Sequence, residues 1–305
     1  MRVLAYADSG SWAAQLASAA DAQGGDAAVF VPGRELAEAA ADLYPEVYFS
    51  ELGPFEPVSY SAAFSEAARS FKPDLALFPC TNKGRSIAGL YSSAAGIRSA
   101  TDAISLSARA GDSPITVRRL VYGGRAEAEF RMNAPAAVCM AQGSYPERGP
   151  RGGRGGIHEV RAPGPASSVD FRPRRGEGVQ PDEADVVVVA GRGIRSREDL
   201  ELVKGLARAL GGAWSVTRPL AADQGWADSW IGISGLVVSP KLYIGVGVSG
   251  QPHHVMGARG SRIIVAINKD PGAPIFEECD YGIVGDLYVV VPELLKLLGG
   301  KGGGR

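Results

Sequence analysis

The sequence predicts an α/β protein of two domains, each built on a parallel sheet, the second doubly wound. Three observations carry this expectation. Short β-like runs alternate with helical stretches through the first hundred residues, and the same alternation resumes after residue 185. The two series are separated by a Gly-, Pro- and Arg-rich stretch, residues 143–182. A length of 305 residues suits two domains of ordinary size.

The first series opens on the strand-like "RVLAYA" (2–7), followed by an Ala-rich helical stretch at 11–22. "AAVFV" (27–31), "EVYFS" (46–50) and "DLALFP" (74–79) continue it, with helical candidates at 34–42, 59–71 and 83–95. Strand–helix alternation of this kind makes parallel strands with crossover helices. After residue 100 the pattern changes. "DAISLSA", "PITVRRLVY", "AEAEFRM" and "AAVCMAQ" are separated only by turns, and they read as antiparallel or edge additions to the first sheet. Residues 143–182 read as loop, one or two short strands ("IHEV", "SVDFRP") and linker. "RGGRGG" reads as a solvated loop, since one short copy without aromatic neighbours is a weak sign of RNA binding.

In the second series "DVVVVA" (185–190) is a buried strand. Ser196-Arg-Glu-Asp199 has a helix-capping pattern, and Val203, Leu206, Ala207 and Leu210 supply an apolar helical stripe that Gly211-Gly212 ends. Strands are expected at "KLYIGVG" (241–247), "RIIVAI" (262–267) and "YGIVG" (281–285). "VPELLKLL" reads as a last amphipathic helix with Pro292 near its first turn, and "GGKGGGR" as a disordered tail. The domains are therefore placed at 1–180 and 183–298, with 299–305 as the tail.

Composition removes several function classes. Hydrophobic residues make up 45% and charged residues 21%, with a net charge of -1. No basic bias points to nucleic acid, and no apolar run is long enough for direct membrane insertion. With no signal-peptide pattern at its start, the chain is expected to be cytoplasmic. Cys80, Cys139 and Cys279 are widely spaced and read as reduced, buried thiols. With His158, His253 and His254 as the only histidines, neither a metal site nor Ser-His-Asp chemistry is expected.

The chemistry gathers at strand ends in the second half. Ligands of open α/β sheets bind beyond the carboxyl ends of the strands. Gly191-Arg192-Gly193 follows the first strand: glycines let the backbone approach an anion, and the next helix start adds free N–H groups. A tight structural turn accounts for the same residues, since Ser196 stands where a dinucleotide fingerprint has its third glycine. Gly247, Ser249 and Gly250 make a second small turn, stiffened by Pro252 and followed by His253-His254. An adjacent histidine pair alone reads as surface or core; beside such a turn, one of the two reads as a ligand group. Asn268 suits ribose or base edges, and Asp286 accepts hydrogen bonds from hydroxyl or N–H groups. Together the turns describe a pocket for a long ligand with phosphates, sugars and a polar ring. These features alone leave NAD and FAD both open.

"AGRGIRS", "TRPLAADQGW", "PKLYIGVGVSGQPHH", "AINKDPGAPIFEECDYGIVGDL" and "VPELLKLL", in this order and spacing, closely resemble the FAD domain of the electron transfer flavoprotein alpha subunit. "DLALFPCTNKGRSIAGLYSSAAGI" and "VYGGRAEAEF" resemble that family's N-terminal domain more loosely, so the likeness covers nearly the whole chain. The resemblance implies a Rossmann-like FAD-binding domain. It places Arg192 on the pyrophosphate, Arg218 over the flavin near N5 and O4, and Ser234 at N5. It also puts Ser249 and its turn at phosphate, His254 near O2, and Asn268 and Asp286 near the adenosine half. Gly191, Gly193, Gly232, Gly247, Gly250 and Leu287 complete the implied cofactor-binding set, and Arg218, Ser234 and His254 tune the redox properties.

A fixed cation and a donor at O2 favour the charge that reduction places on the ring, each by roughly 1–3 kcal/mol in a dry site. Departures from the family pattern are local. Gly232-Ile233-Ser234-Gly235-Leu236 stands where the family commonly reads Gly-Gln-Thr-Gly-Lys, so the flavin edge is expected to be more apolar here. His253-His254 replaces a usual Gln-His.

The resemblance further implies heterodimer formation with an electron transfer flavoprotein beta subunit carrying AMP or, in bifurcating versions, a second FAD. It implies a dehydrogenase or NADH-side donor and a quinone oxidoreductase acceptor, with a connector at 143–182 on which the FAD domain swivels. "TNKGRS" (81–86) looks like a nucleotide loop but reads as a structural turn. Two other classes stay open: an NAD-dependent enzyme with His254 as its base, and a non-redox nucleotide-binding scaffold. An electron carrier is yellow when purified; an NAD enzyme is colourless.

Overall fold

The computed structural model describes residues 1–108, 114–122, 124–161, 180–182 and 184–299. Residues 162–179 of the Gly/Pro-rich connector, including "SVDFRP", and the tail beyond 299 lie outside the described residues, whereas residues 143–161, expected as part of that connector, are bonded into the first unit, as Arg148 N to Ala14 O and Gly155 N to Ala41 O show. The chain divides into two compact units, Met1–Pro173 and Arg174–Arg305.

In the first unit β1 (Arg2–Tyr6), β2 (Asp26–Pro32), β3 (Glu46–Ser50) and β4 (Leu75–Pro79) alternate with α1 (Gly10–Gln23), α2 (Arg34–Ala40), α3 (Pro57–Phe71) and α4 (Asn82–Ala95). Then follow β5 (Arg98–Ser107), β6 (Ile115–Val121), β7 (Ala126–Met132), β8 (Ala136–Met140) and β9 (Gly156–Glu159). The sheet order is β7-β6-β5-β8-β4-β1-β2-β3-β9. The helices begin where local chemistry satisfies their free N–H groups. Ser9 accepts from Trp12 N, Glu56 from Val58 N and Ser59 N ahead of Pro57, and Thr81 from Gly84 N. In "TNKGRS" the glycine has a packing reason: a Cβ on Gly84 would lie 2.0 Å from Pro79 O.

The expected antiparallel additions are found in part. β5 pairs β6, and β6 pairs β7, antiparallel. β8 does not extend the edge. It inserts in parallel between β5 and β4, with all its residues buried. A continuous apolar run without alternation, Ala136-Ala-Val-Cys-Met140, is what a strand covered on both faces requires.

The second unit is a parallel sheet in the order β11-β10-β12-β13-β14, made of β10 (Val186–Ala190), β11 (Ala213–Val216), β12 (Leu242–Val246), β13 (Ile264–Asn268) and β14 (Tyr281–Val284). α5 (Leu200–Ala209), the short α6 (Pro252–Val255) and α7 (Leu287–Gly299) connect or follow them. The two sheet faces bury different sets. Val188, Ala190, Ile244 and Val246 pack with Val203, Leu206 and Val291, the last three from α5 and α7. Val187, Val189 and Tyr243 pack with Ile231, Val255 and Ile275. Each large apolar side chain so buried contributes about 1.5–3 kcal/mol before entropy is counted.

Three local expectations are corrected here. The Ser196–Asp199 pair does form a reciprocal capping arrangement, Ser196 N to Asp199 Oδ2 at 3.1 Å and Asp199 N to Ser196 Oγ at 3.4 Å. It closes a turn of i→i+3 bonds, such as Leu200 N to Arg197 O, and α5 begins only after it. α7 begins at Leu287, so Pro292 is inside the helix. Asp286 starts it instead, by accepting from Tyr288 N at 2.9 Å. The β-branched Val289-Val290-Val291 hid that turn from a propensity reading. β11, the edge strand "AWSV", was not anticipated; four residues give too short an alternation to read.

Candidate functional site

The parallel strands of the second sheet end at the same side, and the segments after β10, β11 and β12 wrap one cavity there. The turn after β10 meets the turn after β12 backbone to backbone. Gly191 N donates to Val246 O at 2.9 Å and Gly193 N to Gly247 O at 3.0 Å. A Cβ on Gly191 would sit 2.3 Å from Gly247 O, and one on Gly193 2.8 Å from Gly247 Cα. Only glycine allows this crossing, and Gly247 and Gly250 also hold positive φ of 65° and 86°. Leu287 seals the crossing from below. It is 6% exposed, and its Cδ2 stands 2.9 Å from where a Gly247 Cβ would be.

The opposite wall comes from residues 217–236. Thr217 N donates to Ala190 O, and Ile231 N to Val216 O, so the segment continues the sheet beyond β11. It turns back through Gly232, and Ile233 N donates to His253 O at 2.8 Å. Trp230 Nε1 donates to Ser234 Oγ at 3.4 Å, which leaves the serine proton available to a ligand.

Between these walls lies a cavity of about 380 Å³. Of the predicted site residues, Arg192, Arg218, Gly232, Ser234, Ser249, Gly250 and His254 line it. Gly191, Gly193 and Gly247 shape its turns without being among its lining residues. Asn268, Asp286 and Leu287 are not brought to it.

Asn268 and Asp286 are instead used within the protein. Asn268 Nδ2 donates to Val248 O at 2.8 Å, and its Oδ1 accepts from Asp270 N at 3.0 Å, which anchors the Gly-Ser turn from below. Asp286 caps α7 and faces Arg195 at 3.6 Å. Strand ends need such groups for their own backbone, so polar residues there do not by themselves mark a ligand.

The ring of His254 is also engaged. It is 8% exposed; Nδ1 lies 2.9 Å from Ile231 O and Nε2 2.6 Å from Tyr243 Oη. A carbonyl only accepts, so Nδ1 carries the proton and Nε2 accepts from the tyrosine. Burial holds the imidazole below its usual pKa, against the opposing pull of the Ile231 carbonyl. The ring is therefore a neutral brace between β12 and the 217–236 wall, and the expected donation to flavin O2 is not available without breaking the Ile231 bond.

Sequence reasoning passed over Thr217, Pro219, Trp230, Val248 and Gln251 as individual lining residues, while His253, weighed there only as one of a pair, also lines the cavity. Thr217 Oγ1 is the most telling, because it is buried with no hydrogen-bond partner among the described residues. Arg192 and Arg218 make no ion pair among the described residues. Two unneutralised guanidinium groups, an orphaned hydroxyl and a glycine-only cradle suit a ligand that is anionic at one end and polar along its length.

The model of the electron transfer flavoprotein domain matches residues 3–164, and that of the electron transfer flavoprotein FAD-binding domain matches residues 181–259. The chain belongs to the electron transfer flavoprotein alpha family. Protein FixB of Escherichia coli O139:H28 (strain E24377A / ETEC) is 36% identical over 247 residues, covering 78% of each chain. Protein FixB of Shigella dysenteriae serotype 1 (strain Sd197) shows the same identity and coverage. FAD is the cofactor of this electron transfer flavoprotein alpha subunit, and the cavity lies within the unit that carries the FAD-binding match. The residues present fit that group: the glycine crossing and Arg192 suit a pyrophosphate, and Arg218, Thr217 and Ser234 offer donors along the remaining wall. Among the described residues no helix is long and apolar enough to cross a membrane, and no cluster of His, Cys, Asp and Glu suits a metal ion.

Proposed function

We propose that this chain is the FAD-carrying partner in a cytoplasmic heterodimer with an electron transfer flavoprotein beta subunit. It relays electrons from a dehydrogenase or NADH-side donor to a quinone oxidoreductase acceptor. The single observation that supports this reading best is the cavity with Arg192 and Arg218 on its wall and no carboxylate among its lining residues. Bound FAD supplies the electron-accepting ring; everything else is contributed by the chain.

Arg192 and Ser249, both on the cavity wall beside the glycine crossing, would hold the pyrophosphate. Arg218, on the cavity wall, would stabilise negative charge on the bound ring and so raise its reduction potential. Ser234, whose oxygen accepts from Trp230, would offer its hydroxyl proton to the bound cofactor. His254 sets the distance between the two walls through Ile231 and Tyr243. Ile233, 53% exposed and on the cavity wall, would make the surroundings of the ring more apolar.

The test is co-expression with the beta subunit, followed by release and chromatography of all bound nucleotides. One FAD and one AMP per heterodimer is the result for a simple carrier. Two FAD assign the chain to a bifurcating complex. A colourless complex that releases NAD overturns the reading.

A further inference from the structure

The first unit holds a cluster of reactive side chains that the FAD site does not use. Cys80 follows β4 directly and precedes Thr81, the N-cap of α4. Two N–H donors point at its sulfur: Arg85 Nε and Asp102 N, each 3.2 Å away. Asp102 reaches this position with a φ of 59°, a left-handed backbone that a non-glycine residue adopts at a cost. Its carboxylate is paired on both oxygens, Oδ1 with Arg85 at 2.6 Å and Oδ2 with Arg119 at 3.5 Å. Oδ1 also lies 3.2 Å from Cys80 Sγ, and it accepts the thiol proton when the sulfur is neutral.

The charge count decides which state the cluster favours. Arg85 and Arg119 are cations, and Asp102 supplies one anion. A thiolate at Cys80 brings the four groups to neutrality. Cys139 lies on the neighbouring β8 and shares the core face of Cys80. The other charges at the head of α4 are Lys83 and Asp8, which pair with each other at 3.7 Å. The neighbouring Cys139 thiol is the largest influence holding the Cys80 thiol below its ordinary range. Burial and Asp102 oppose that shift, while Arg85 reinforces it. Hydrogen bonding to Cys80 first, and burial second, push Cys139 up, so it stays a thiol. Cys80 is half-buried, and the side chains of Arg85 and Asp102 are 38% and 41% exposed, so the cluster opens to water.

We infer that Cys80 is a peroxide-reactive modification site, activated by Arg85 and the Asp102 N–H and separate from the flavin cavity. The sulfur attacks one oxygen of hydrogen peroxide or an organic hydroperoxide. An S–O bond forms as the O–O bond breaks, and the departing oxygen leaves as water or alcohol after taking a proton from solvent. Sulfur loses two electrons and the peroxide gains them. The product is a sulfenic acid whose oxygen is within reach of the same Arg85.

Cys279, in the second unit, is an internal control. Burial pushes its thiol up, and no arginine contributes to its shift. The full-length FAD-loaded protein is treated with iodoacetamide across a pH series, and with hydrogen peroxide plus dimedone, and both cysteines are followed by peptide mass spectrometry. Cys80 is expected to alkylate with a lower pH midpoint than Cys279 and to take the dimedone adduct first. Arg85→Gln is expected to slow peroxide reaction at Cys80 about tenfold and raise its midpoint, with Arg85→Lys intermediate. Circular dichroism and FAD content report folding; if Arg85→Gln is misfolded, Arg119→Gln removes a charge without touching the sulfur and is expected to shift the midpoint the same way. Coincident profiles for Cys80 and Cys279, or a midpoint unmoved by the charge-removing variants, overturn the inference.

Discussion

Gly191→Ala tests the crossing on which the flavin cavity depends. Gly191 has no positive φ, so the substitution leaves backbone preference aside and adds one methyl group. That carbon would meet Gly247 O at 2.3 Å and Val248 Cα at 2.5 Å, both backbone atoms that no rotamer change can move. Carbon–oxygen contacts begin at about 3.3 Å, so the two turns must separate by about 1 Å. Overpacking of this kind costs about 1–3 kcal/mol. Loosening the bonds Gly191 N–Val246 O and Gly193 N–Gly247 O adds about 1 kcal/mol each. The sum, about 3–5 kcal/mol, is a large fraction of a domain's stability. Urea unfolding followed by tryptophan fluorescence should show a lower midpoint with an unchanged slope. FAD retained after gel filtration should fall at least about tenfold, since 1.4 kcal/mol suffices for that. A variant with full FAD content and a midpoint within about 0.5 kcal/mol of the parent would refute the crossing, because such a value is typical of surface sites.

Other outcomes follow from the same geometry. Arg218→Ala should lower the flavin potential by on the order of 40–130 mV, the equivalent of about 1–3 kcal/mol in a one-electron step, read by spectroelectrochemistry; an unshifted titration removes Arg218 from the ring. His254 has its folded pKa below the unfolded value, so the unfolded state binds more protons as pH falls. Stability should therefore be fully present above about pH 6.5 and decline below it, and His254→Gln should flatten that part of the melting profile relative to the parent. Gly89 lies in α4, exposed and with nothing near a would-be Cβ. Gly89→Ala should raise stability by about 0.5–1 kcal/mol in urea titration, and destabilisation would mean that α4 is covered there.

The strands that hold the cavity were legible because their burial is continuous: "VVVVA", "LYIGV" and "IVAIN" leave no polar face to confuse the period. The glycines were legible as close approaches, although what they approach was not; Gly191 and Gly247 are 56 residues apart and meet only through the pairing of β10 with β12. Asn268 and Asp286 were legible as concentrated polar chemistry at strand ends. Whether such a group serves a ligand or its own backbone depends on which N–H groups the fold leaves unpaired, and both residues turned out to serve the turns. Thr217 carried no signal at all, since a threonine after a short edge strand is ordinary and its lack of a partner exists only in three dimensions. Strand order was similarly hidden: the apolar run in "AAVCM" suits a strand covered on both faces, but nothing local says which two strands it enters between.

That late entry has a bearing on how the protein is made. Until residues 136–140 leave the ribosome, β4 has an open side and the β5–β7 stretch has no parallel neighbour to join. The nascent chain must therefore carry an unpaired, wholly apolar strand edge through the synthesis of some sixty further residues, from Pro79 to Met140. Fragments cut short in that interval should be poor candidates for isolated study and good substrates for chaperones that shield sheet edges.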